Sequence, residues 1–265
     1  QAAGGIGMVV ANNQVATLPP GLGGTDPSIT IGVLSVTLDS GNALKTQLVG
    51  GPVTVTMTRT KAVDRDGALD NAIVTHEWGH YISNRLVANS NGLVAQQARG
   101  LGEGWADFHA LLMLVKESDR ALPNNAAFEG TYAGNAYPNG GPDFAPDALN
   151  NAFYYGSRRY PYSRDLTKNP LTFRHITDGV ALPALPPPAS RVSSANSEVH
   201  ATGEVWATML WECYTNLLND TGRLTFAQAQ ERMKRYLVGA YKMTPTDPTF
   251  VNARDALLAV MQAQD

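Results

Sequence analysis

Apolar residues recur at the spacing of an α-helix on both sides of a polar centre in the first half of the chain. The segments 70–75 and 81–86 carry this pattern, and the centre between them, residues 76–80, reads His-Glu-Trp-Gly-His. Such periodicity predicts one continuous helix. The two histidines are four positions apart, and they therefore lie on the same face of that helix.

Further apolar patterns predict a mainly helical chain beyond this point. The run 108–115 indicates a buried helix, and we expect residues 100–102, Gly-Leu-Gly, to form the turn that leads into it. Three more stretches, 202–218, 226–240 and 251–261, have apolar residues at helical spacing. The C-terminal third is therefore predicted to be a helical lobe.

The first sixty residues have a different sequence pattern, in which short apolar runs are separated by glycine, proline and asparagine. Residues 6–11 and 29–34 are typical of strands, and 52–58 alternates as a strand does. Residues 39–44 open a short helix. This order predicts a small α/β unit ahead of the helical part.

Periodicity disappears between residues 121 and 195, a region rich in asparagine, proline, glycine and tyrosine. Its aromatic and basic segment 150–162 either packs as an ordered irregular loop or lines a peptide groove, and the sequence leaves both open. A loop region of this length usually has functional or insertional meaning.

Composition narrows the range of functions. The chain has 265 residues, 43% of them hydrophobic, and a net charge of −3, so nothing suggests a nucleic-acid partner. No run of eighteen apolar residues predicts a membrane span. The single cysteine, Cys213, excludes an intrachain disulfide and is interpreted as a core residue. The chain begins at Gln1 without a signal peptide, and we expect a processed or truncated product.

The paired histidines predict a metal site. His76 and His80 can direct their imidazoles at one point, as a tetrahedral Zn²⁺ requires of two nitrogen ligands. Glu77 can reach the open side of the metal and take a proton from bound water. The alternative is two ordinary histidines on a helix, which the scarcity of histidine, five in the chain, disfavours.

Two carboxylates downstream complete the predicted site. Glu103 and Asp107 are four positions apart and share a helix face, so Glu103 can be the third ligand and leave one position for water. Asp107 can accept a hydrogen bond from a ligand imidazole and fix its tautomer. The alternative is an acidic first turn that complements the helix dipole. Glycine on both sides of Glu103 favours the close approach of a site.

Other polar residues leave choices open. His200 begins a predicted helix, where it can stabilise an oxyanion or be a plain helix-terminal residue. Glu198 or Glu204 can orient it. His109 and His175 are interpreted as structural. Asp64, Asp66 and Asp70 cluster ahead of the metal helix; a Ca²⁺ site is left open there, although an acidic turn that caps the helix is the favoured interpretation.

The segments 76–86, 102–108 and 199–207 together resemble the fungalysin family, which are secreted zinc endopeptidases of the thermolysin-like group with a glutamate third ligand. The resemblance implies roles residue by residue: His76, His80 and Glu103 as zinc ligands, Glu77 as general base, Asp107 as a partner of a ligand histidine, and His200 as the donor to the transition state. In one respect the chain departs from the group, which places a tyrosine donor between the second histidine and the glutamate. Here Tyr81 directly follows His80 and is badly placed, so that donor is absent or comes from elsewhere, such as residues 154–162.

Residues 1–60 resemble the second half of a protease-associated (PA) domain, which bacterial fungalysins often carry ahead of the metal helix. The expected fold is therefore α+β: a partial α/β PA domain over residues 1–60, then a thermolysin-like zinc peptidase over residues 61–265 with a mainly helical C-terminal lobe. Part of the catalytic domain is expected to lie before residue 1.

The predicted function is a secreted, zinc-dependent endopeptidase that hydrolyses peptide bonds with metal-activated water and one zinc ion. Its predicted partners are protein or peptide substrates and the rest of its own precursor, with no nucleic acid and no membrane. One alternative is an incomplete fragment or binding protein that retains the zinc site. Another is an exopeptidase, for which Glu198 and Glu204 are the only candidates to bind a free amine.

Overall fold

The fold is described from a computed structural model of the chain, for residues 4–15, 19, 21–22, 26–58, 65–139, 151–189 and 195–265. The chain divides into two compact units, Gln1–Lys61 and Ala62–Asp265. The first contains a small sheet and one helix, and the second is mainly helical. The α+β character expected from the sequence is therefore present, with helices predominating.

The first unit is built on two parallel strands, β1 (Gly7–Ala11) and β2 (Gly32–Val36), paired from Gly7 with Gly32 to Ala11 with Val36. Helix α1 (Leu38–Val49) follows β2 at once, because the Thr37 side chain accepts a hydrogen bond from the backbone N–H of Ser40 and caps the first turn. Gly41 lets α1 approach β1 closely, since a Cβ atom there would lie 2.3 Å from that of Ala11.

Two strand predictions differ from the structure. The second strand lies at 32–36 rather than 29–34, and the described residues 52–58 form no strand. Alternation sets which side chains share a face, but a strand also needs a neighbour whose backbone accepts and donates its hydrogen bonds. In the described part of the first unit, the sheet consists of β1 and β2 alone. Among the described residues, the alternating segment therefore has no strand with which to pair.

The second unit contains six helices among its described residues. They are α2 (Asn71–Leu86), α3 (Gln96–Leu114), α4 (Ala152–Tyr155), α5 (Val199–Asn219), α6 (Phe226–Met243) and α7 (Phe250–Gln264). The helix predicted around residues 76–80 and the three predicted C-terminal helices are confirmed, each within a few residues of its expected bounds. No helix in the described part of the chain combines the length and apolarity needed to cross a membrane.

The acidic turn before α2 is a capping structure. Asp66 caps a 3-10 turn, Gly67–Leu69, by accepting a hydrogen bond from Ala68, and Asp70 caps α2 by accepting one from Ala72 at 2.8 Å. The favoured interpretation of this cluster is confirmed for these two residues. Asp64 lies outside the described residues, and no calcium site is indicated among the others.

Helix α3 begins earlier than predicted, at Gln96, so residues 100–102 lie within the helix and do not form a turn. Gly100 serves helix packing instead. A Cβ atom at Gly100 would lie 2.4 Å from Cγ2 of Thr202 on α5. The sequence shows that glycine is present here, but the contact that requires it is made with a helix a hundred residues away.

The core of the second unit lies between α3, α5, α6 and α7. Its largest fully buried side chains are aromatic: Trp105, Phe108, Trp206, Trp211, Tyr214, Tyr236 and Tyr241. Cys213, expected in the core, is only partly buried. Burial of aromatic area on this scale stabilises the packing of α3 on α5. Helix α3 carries Glu103 and Asp107, α5 carries His200, and α2 carries His76 and His80.

Candidate metal centre

Three potential ligand atoms converge where α2 crosses α3. Nε2 of His76 lies 3.0 Å from Nε2 of His80, and Oε2 of Glu103 lies 3.4 Å from the first nitrogen and 3.5 Å from the second. These are the only three residues in the described part of the chain that are grouped as metal ligands would be. The structure therefore brings together the three residues that the sequence predicted as ligands.

The arrangement fits a tetrahedral metal ion. Ligand atoms about 2.0–2.1 Å from a central zinc lie roughly 3.3 Å from one another in a tetrahedron, which agrees with the separations of 3.0 to 3.5 Å found here. Oε2 of Glu103 is buried and makes no hydrogen bond to the protein. A buried carboxylate oxygen without a donor is costly, and a cation at the centre of the three atoms would satisfy it.

The charges around the centre also favour a cation. Burial lowers the pKa of His76, but the hydrogen bond to Asp107 and the nearby carboxylate of Glu103 outweigh it and raise the pKa to about 9. Burial raises the pKa of Glu103, yet the close imidazoles of His76 and His80 and the charge of His200 hold it far below its usual value. The site therefore attracts positive charge even though it is largely buried.

Asp107 binds the outer nitrogen of His76. Its Oδ1 lies 2.7 Å from Nδ1 of His76, and the aspartate is only 5% exposed. A carboxylate at this nitrogen keeps the proton on Nδ1 and leaves the lone pair of Nε2 directed at the other ligand atoms. The predicted contact between Asp107 and a ligand imidazole is thus present in the structure.

Two further residues bind Asp107, and sequence reasoning missed both. Arg158 donates from Nη2 to Oδ1 at 2.8 Å and from Nε to Oδ2, and the hydroxyl of Tyr162 donates to Oδ2. The only sequence signal was the aromatic and basic composition of residues 150–162. Part of that loop therefore packs behind the metal centre, which favours the first of its two interpretations.

His200 lies at the start of α5 and faces the same centre. Its Nε2 is 3.3 Å from Oε2 of Glu103, and its Nδ1 is 2.7 Å from Oε1 of Glu198. The Glu198 carboxylate also accepts the backbone N–H groups of His200 and Ala201 and so caps α5. Burial raises the pKa of Glu198, but the hydrogen bond from His200 outweighs this and lowers it. Of the two acids considered, Glu198 is the one that contacts His200.

Glu204, the other candidate, is wrong as an orienting acid, because its carboxylate is fully buried and bound elsewhere. It accepts hydrogen bonds from Nε of Arg159 at 2.9 Å and from the backbone N–H of Tyr160 at 2.8 Å. Arg159 also donates to the backbone carbonyl of Ala201. This ion pair connects the irregular loop to the first turns of α5, where His200 lies.

Glu77 is exposed on α2, one residue beyond His76, at the edge of an apolar cavity of about 730 Å³ between α2, α3 and α6. Trp78 and Tyr81 line the same cavity, and their rings stack at 5.2 Å. Tyr81 is 53% exposed. It lines this cavity beside Trp78 and is not part of the cluster of His76, His80 and Glu103, so it is badly placed as a donor, as expected.

Three tyrosines of the segment 154–162 are not the missing tyrosine donor, because their hydroxyls bind other groups. The hydroxyls of Tyr155 and Tyr160 donate to the carbonyls of Pro187 and Pro183, and that of Tyr162 donates to Asp107.

The histidines interpreted as structural are buried and hydrogen-bonded. His109 Nε2 lies 3.0 Å from the hydroxyl of Tyr241, and Nδ1 of His175 accepts the N–H of Thr172.

Comparison with known proteins identifies the family of this arrangement. The sequence profile described as fungalysin metallopeptidase (M36) matches residues 39–265 and so includes α2, α3 and α5. The chain belongs to the fungalysin metallopeptidase family. A fungalysin is a metallopeptidase by description, and a metal ion is therefore implied for the cluster of His76, His80 and Glu103.

Several fungal relatives are similar over most of this fungalysin chain. It is 35% identical to "Extracellular metalloproteinase mep" of Aspergillus fumigatus over 207 residues, and this aligned region covers 73% of this chain and 27% of the relative. It is 34% identical over 207 residues to "Extracellular metalloproteinase 10" of Coccidioides posadasii, with the same coverage. Against "Extracellular metalloproteinase 2" of Trichophyton tonsurans it is 34% identical over 218 residues, 77% of this chain and 29% of the relative. The matched region is thus little more than a quarter of the length of these relatives.

The family match begins at residue 39, within the first compact unit. It therefore includes nearly all of α1, which the sequence analysis assigned to a PA domain. The assignment of residues 1–60 to part of a PA domain, and of residues 61–265 to the catalytic domain, stays a prediction.

Proposed function

We propose that this chain carries the active site of a secreted zinc endopeptidase, in which His76, His80 and Glu103 hold one zinc ion. The observation that carries the proposal is the convergence of their three ligand atoms at 3.0 to 3.5 Å. Membership of the fungalysin family supports it, and so do relatives that are named extracellular metalloproteinases. Its substrates are proteins or peptides. The rest of its own precursor stays a predicted partner.

Zinc held by His76, His80 and Glu103 would supply Lewis-acid chemistry to polarise a carbonyl and to lower the pKa of a water molecule. Glu77 is the general base, which would take a proton from the attacking water and later transfer it to the leaving amine. Its place on α2 supports this role, because it directly follows His76 and is exposed to solvent. Asp107 keeps the proton of His76 on Nδ1, so that Nε2 is free to bind metal.

His200 donates a hydrogen bond to the oxyanion that forms when water attacks the peptide carbonyl. Glu198 holds Nδ1 of its imidazole at 2.7 Å, so Nε2 is the nitrogen directed at the centre. A donor fixed before the reaction stabilises developing negative charge without reorganisation in the transition state. In the proposed mechanism Glu198 is therefore the orienting acid.

The exopeptidase alternative requires an acidic group free to bind a substrate amine. Its two candidates are otherwise engaged: Glu198 binds His200 and caps α5, and Glu204 is buried against Arg159. These contacts favour an endopeptidase. A binding protein that keeps the site would bind zinc but show no turnover. The experiment below distinguishes such a protein from an active endopeptidase.

The test combines metal analysis with cleavage assays on the purified chain. We expect one zinc per chain by elemental analysis and cleavage of casein that a chelator abolishes and added zinc restores. A peptide blocked at both ends should be cleaved as readily as one with a free N-terminus. Zinc without cleavage would contradict the enzymatic proposal, cleavage of the free peptide alone would identify an exopeptidase, and absence of zinc would refute the metal site.

A further inference from the structure

The carboxylate of Asp107 has a donor at every acceptor position. Such a group can accept about four hydrogen bonds. His76 and Arg158 occupy Oδ1, while Arg158 and the hydroxyl of Tyr162 occupy Oδ2. Asp107, Arg158 and Tyr162 are 5%, 7% and 2% exposed, so water does not compete for these positions.

Tyr162 is held in place by contacts that do not involve Asp107. Its backbone forms an antiparallel bridge with Tyr132, in which the two N–H···O bonds are 2.9 and 2.8 Å long. The ring of Tyr132 packs on Trp211, with ring centroids 4.7 Å apart. The next residue, Ser163, donates from its hydroxyl to the carbonyl of Glu129. The loop therefore fixes the hydroxyl of Tyr162 independently of the carboxylate it binds.

We propose that Tyr162 is a positioning residue of the metal centre, whose hydroxyl fixes the Asp107 carboxylate and, through it, the orientation of the His76 ring. The inference rests on the proposed function, since it concerns the zinc site described there. Without the hydroxyl, Oδ2 would keep Arg158 alone and a buried acceptor position would lie empty. The carboxylate could then turn toward the guanidinium and away from Nδ1 of His76.

The hydroxyl of Tyr162 remains a donor under ordinary conditions. Burial and the negative charge of Asp107 both raise its pKa well above the usual value. Arg158 binds the same carboxylate with two nitrogens, but it approaches both oxygens from one side. Tyr162 provides the second donor to Oδ2, so that each oxygen of the carboxylate accepts two hydrogen bonds.

The test is the substitution Tyr162→Phe in the full chain, which keeps the ring and removes only the hydroxyl. We expect zinc affinity, measured by competition with a chelator of known affinity, to fall about 10-fold, the lower end of the effect of losing an outer partner of a ligand histidine. The visible absorption of the Co²⁺-substituted protein should shift, because it reports ligand geometry and a purely structural role would leave it unchanged.

Tyr160→Phe is the matched control. Tyr160 lies in the same loop, is fully buried, and donates its hydroxyl to the carbonyl of Pro183 rather than to Asp107. This variant should keep the zinc affinity and the cobalt spectrum of the wild type. Circular dichroism checks the fold of both.

Each other outcome overturns the inference. A Tyr162→Phe protein with wild-type zinc affinity and cobalt spectrum would show that the hydroxyl does not act on His76. Equal losses in both variants, or a Tyr162→Phe chain that does not fold, would show that the tyrosines serve the fold alone. If the wild type itself bound no zinc, the proposed function would fail first, and that result is visible before any variant is compared.

Discussion

Gly203 on α5 lies directly against Glu103 on α3: a Cβ atom added to the glycine would come within 2.6 Å of the Cβ atom of the glutamate. The same added atom would lie 2.7 Å from the carbonyl oxygen of Gly100. Because the helices touch here, His200, three residues earlier on α5, reaches to 3.3 Å from Oε2 of Glu103. The glycine sets the distance between the candidate oxyanion donor and the metal cluster.

We therefore expect Gly203→Ala to separate the two helices. The free energy of unfolding should fall by about 1–3 kcal/mol, as overpacking in a well-packed interior usually costs. Cleavage activity should fall as well, because His200 moves away from Glu103. Urea unfolding and steady-state kinetics measure the two effects.

Gly222→Ala is the control for this prediction, since a Cβ atom at Gly222 would meet nothing within 4 Å. It should leave both stability and activity close to wild type. If Gly203→Ala behaved in the same way, the helices would not be in the contact described.

The buried pair of Arg159 and Glu204 should contribute strongly to stability. The two residues are 1% and 0% exposed, and Nε of the arginine lies 2.9 Å from the glutamate. Glu204→Gln removes the counter-charge of a buried guanidinium, which we expect to cost about 3–5 kcal/mol in the free energy of unfolding. Urea denaturation measures it.

An exposed pair gives the comparison for Glu204→Gln. Glu231 and Arg235, 3.2 Å apart, form an i,i+4 pair on the surface of α6. Glu231→Gln should cost no more than about 0.5 kcal/mol. Equal costs in the two variants would contradict the view that the buried pair joins the loop to α5.

The stability of the protein should depend on pH through His109. Burial lowers the pKa of His109 to about 4, against a value of 6.5 for an exposed histidine. Between these values the unfolded chain binds a proton that the folded chain does not, so the free energy of unfolding falls as pH falls from 6.5 to 4. Its partner Tyr241 does not titrate there, because burial raises its pKa well above the usual value.

His109→Gln should remove this dependence while keeping a polar partner for the hydroxyl of Tyr241. The advantage of the wild type over the variant should shrink by about 3 kcal/mol between pH 7.5 and pH 4. Urea unfolding in excess chelator measures the difference without a contribution from metal binding. A difference that stays constant with pH would show that His109 is not buried as described.

Spacing along the sequence was enough to predict the site residues that lie in pairs on a single helix. His76 and His80, and likewise Glu103 and Asp107, are four positions apart, and helical geometry puts each pair on one face. The structure brings all four together. No such period connects them to Tyr162, which reaches Asp107 from a loop 55 residues further along the chain.

The two incorrect structural predictions, a turn at Gly100 and a strand at 52–58, also depend on contacts between residues distant in the sequence. Gly100 was interpreted as part of a turn because glycine suits both turns and close helix contacts, and only the position of Thr202 on α5 distinguishes them. The alternating residues 52–58 satisfy the pattern of a strand but pair with no strand in the described part of the chain. Local patterns predict which elements a segment can form, whereas partners distant in the sequence decide which element it does form.

The most direct test of the account is the substitution Glu77→Gln, assayed for bound zinc and for cleavage of the same blocked peptide. We expect one zinc per chain, as in the wild type, and a turnover lower by about 10²–10⁴-fold, because the general base is lost while the ligands remain. Glu212→Gln, the same change at an exposed glutamate on α5, should alter neither quantity. A Glu77→Gln protein that binds zinc and cleaves the peptide at the wild-type rate would show that Glu77 is not the general base of a zinc peptidase.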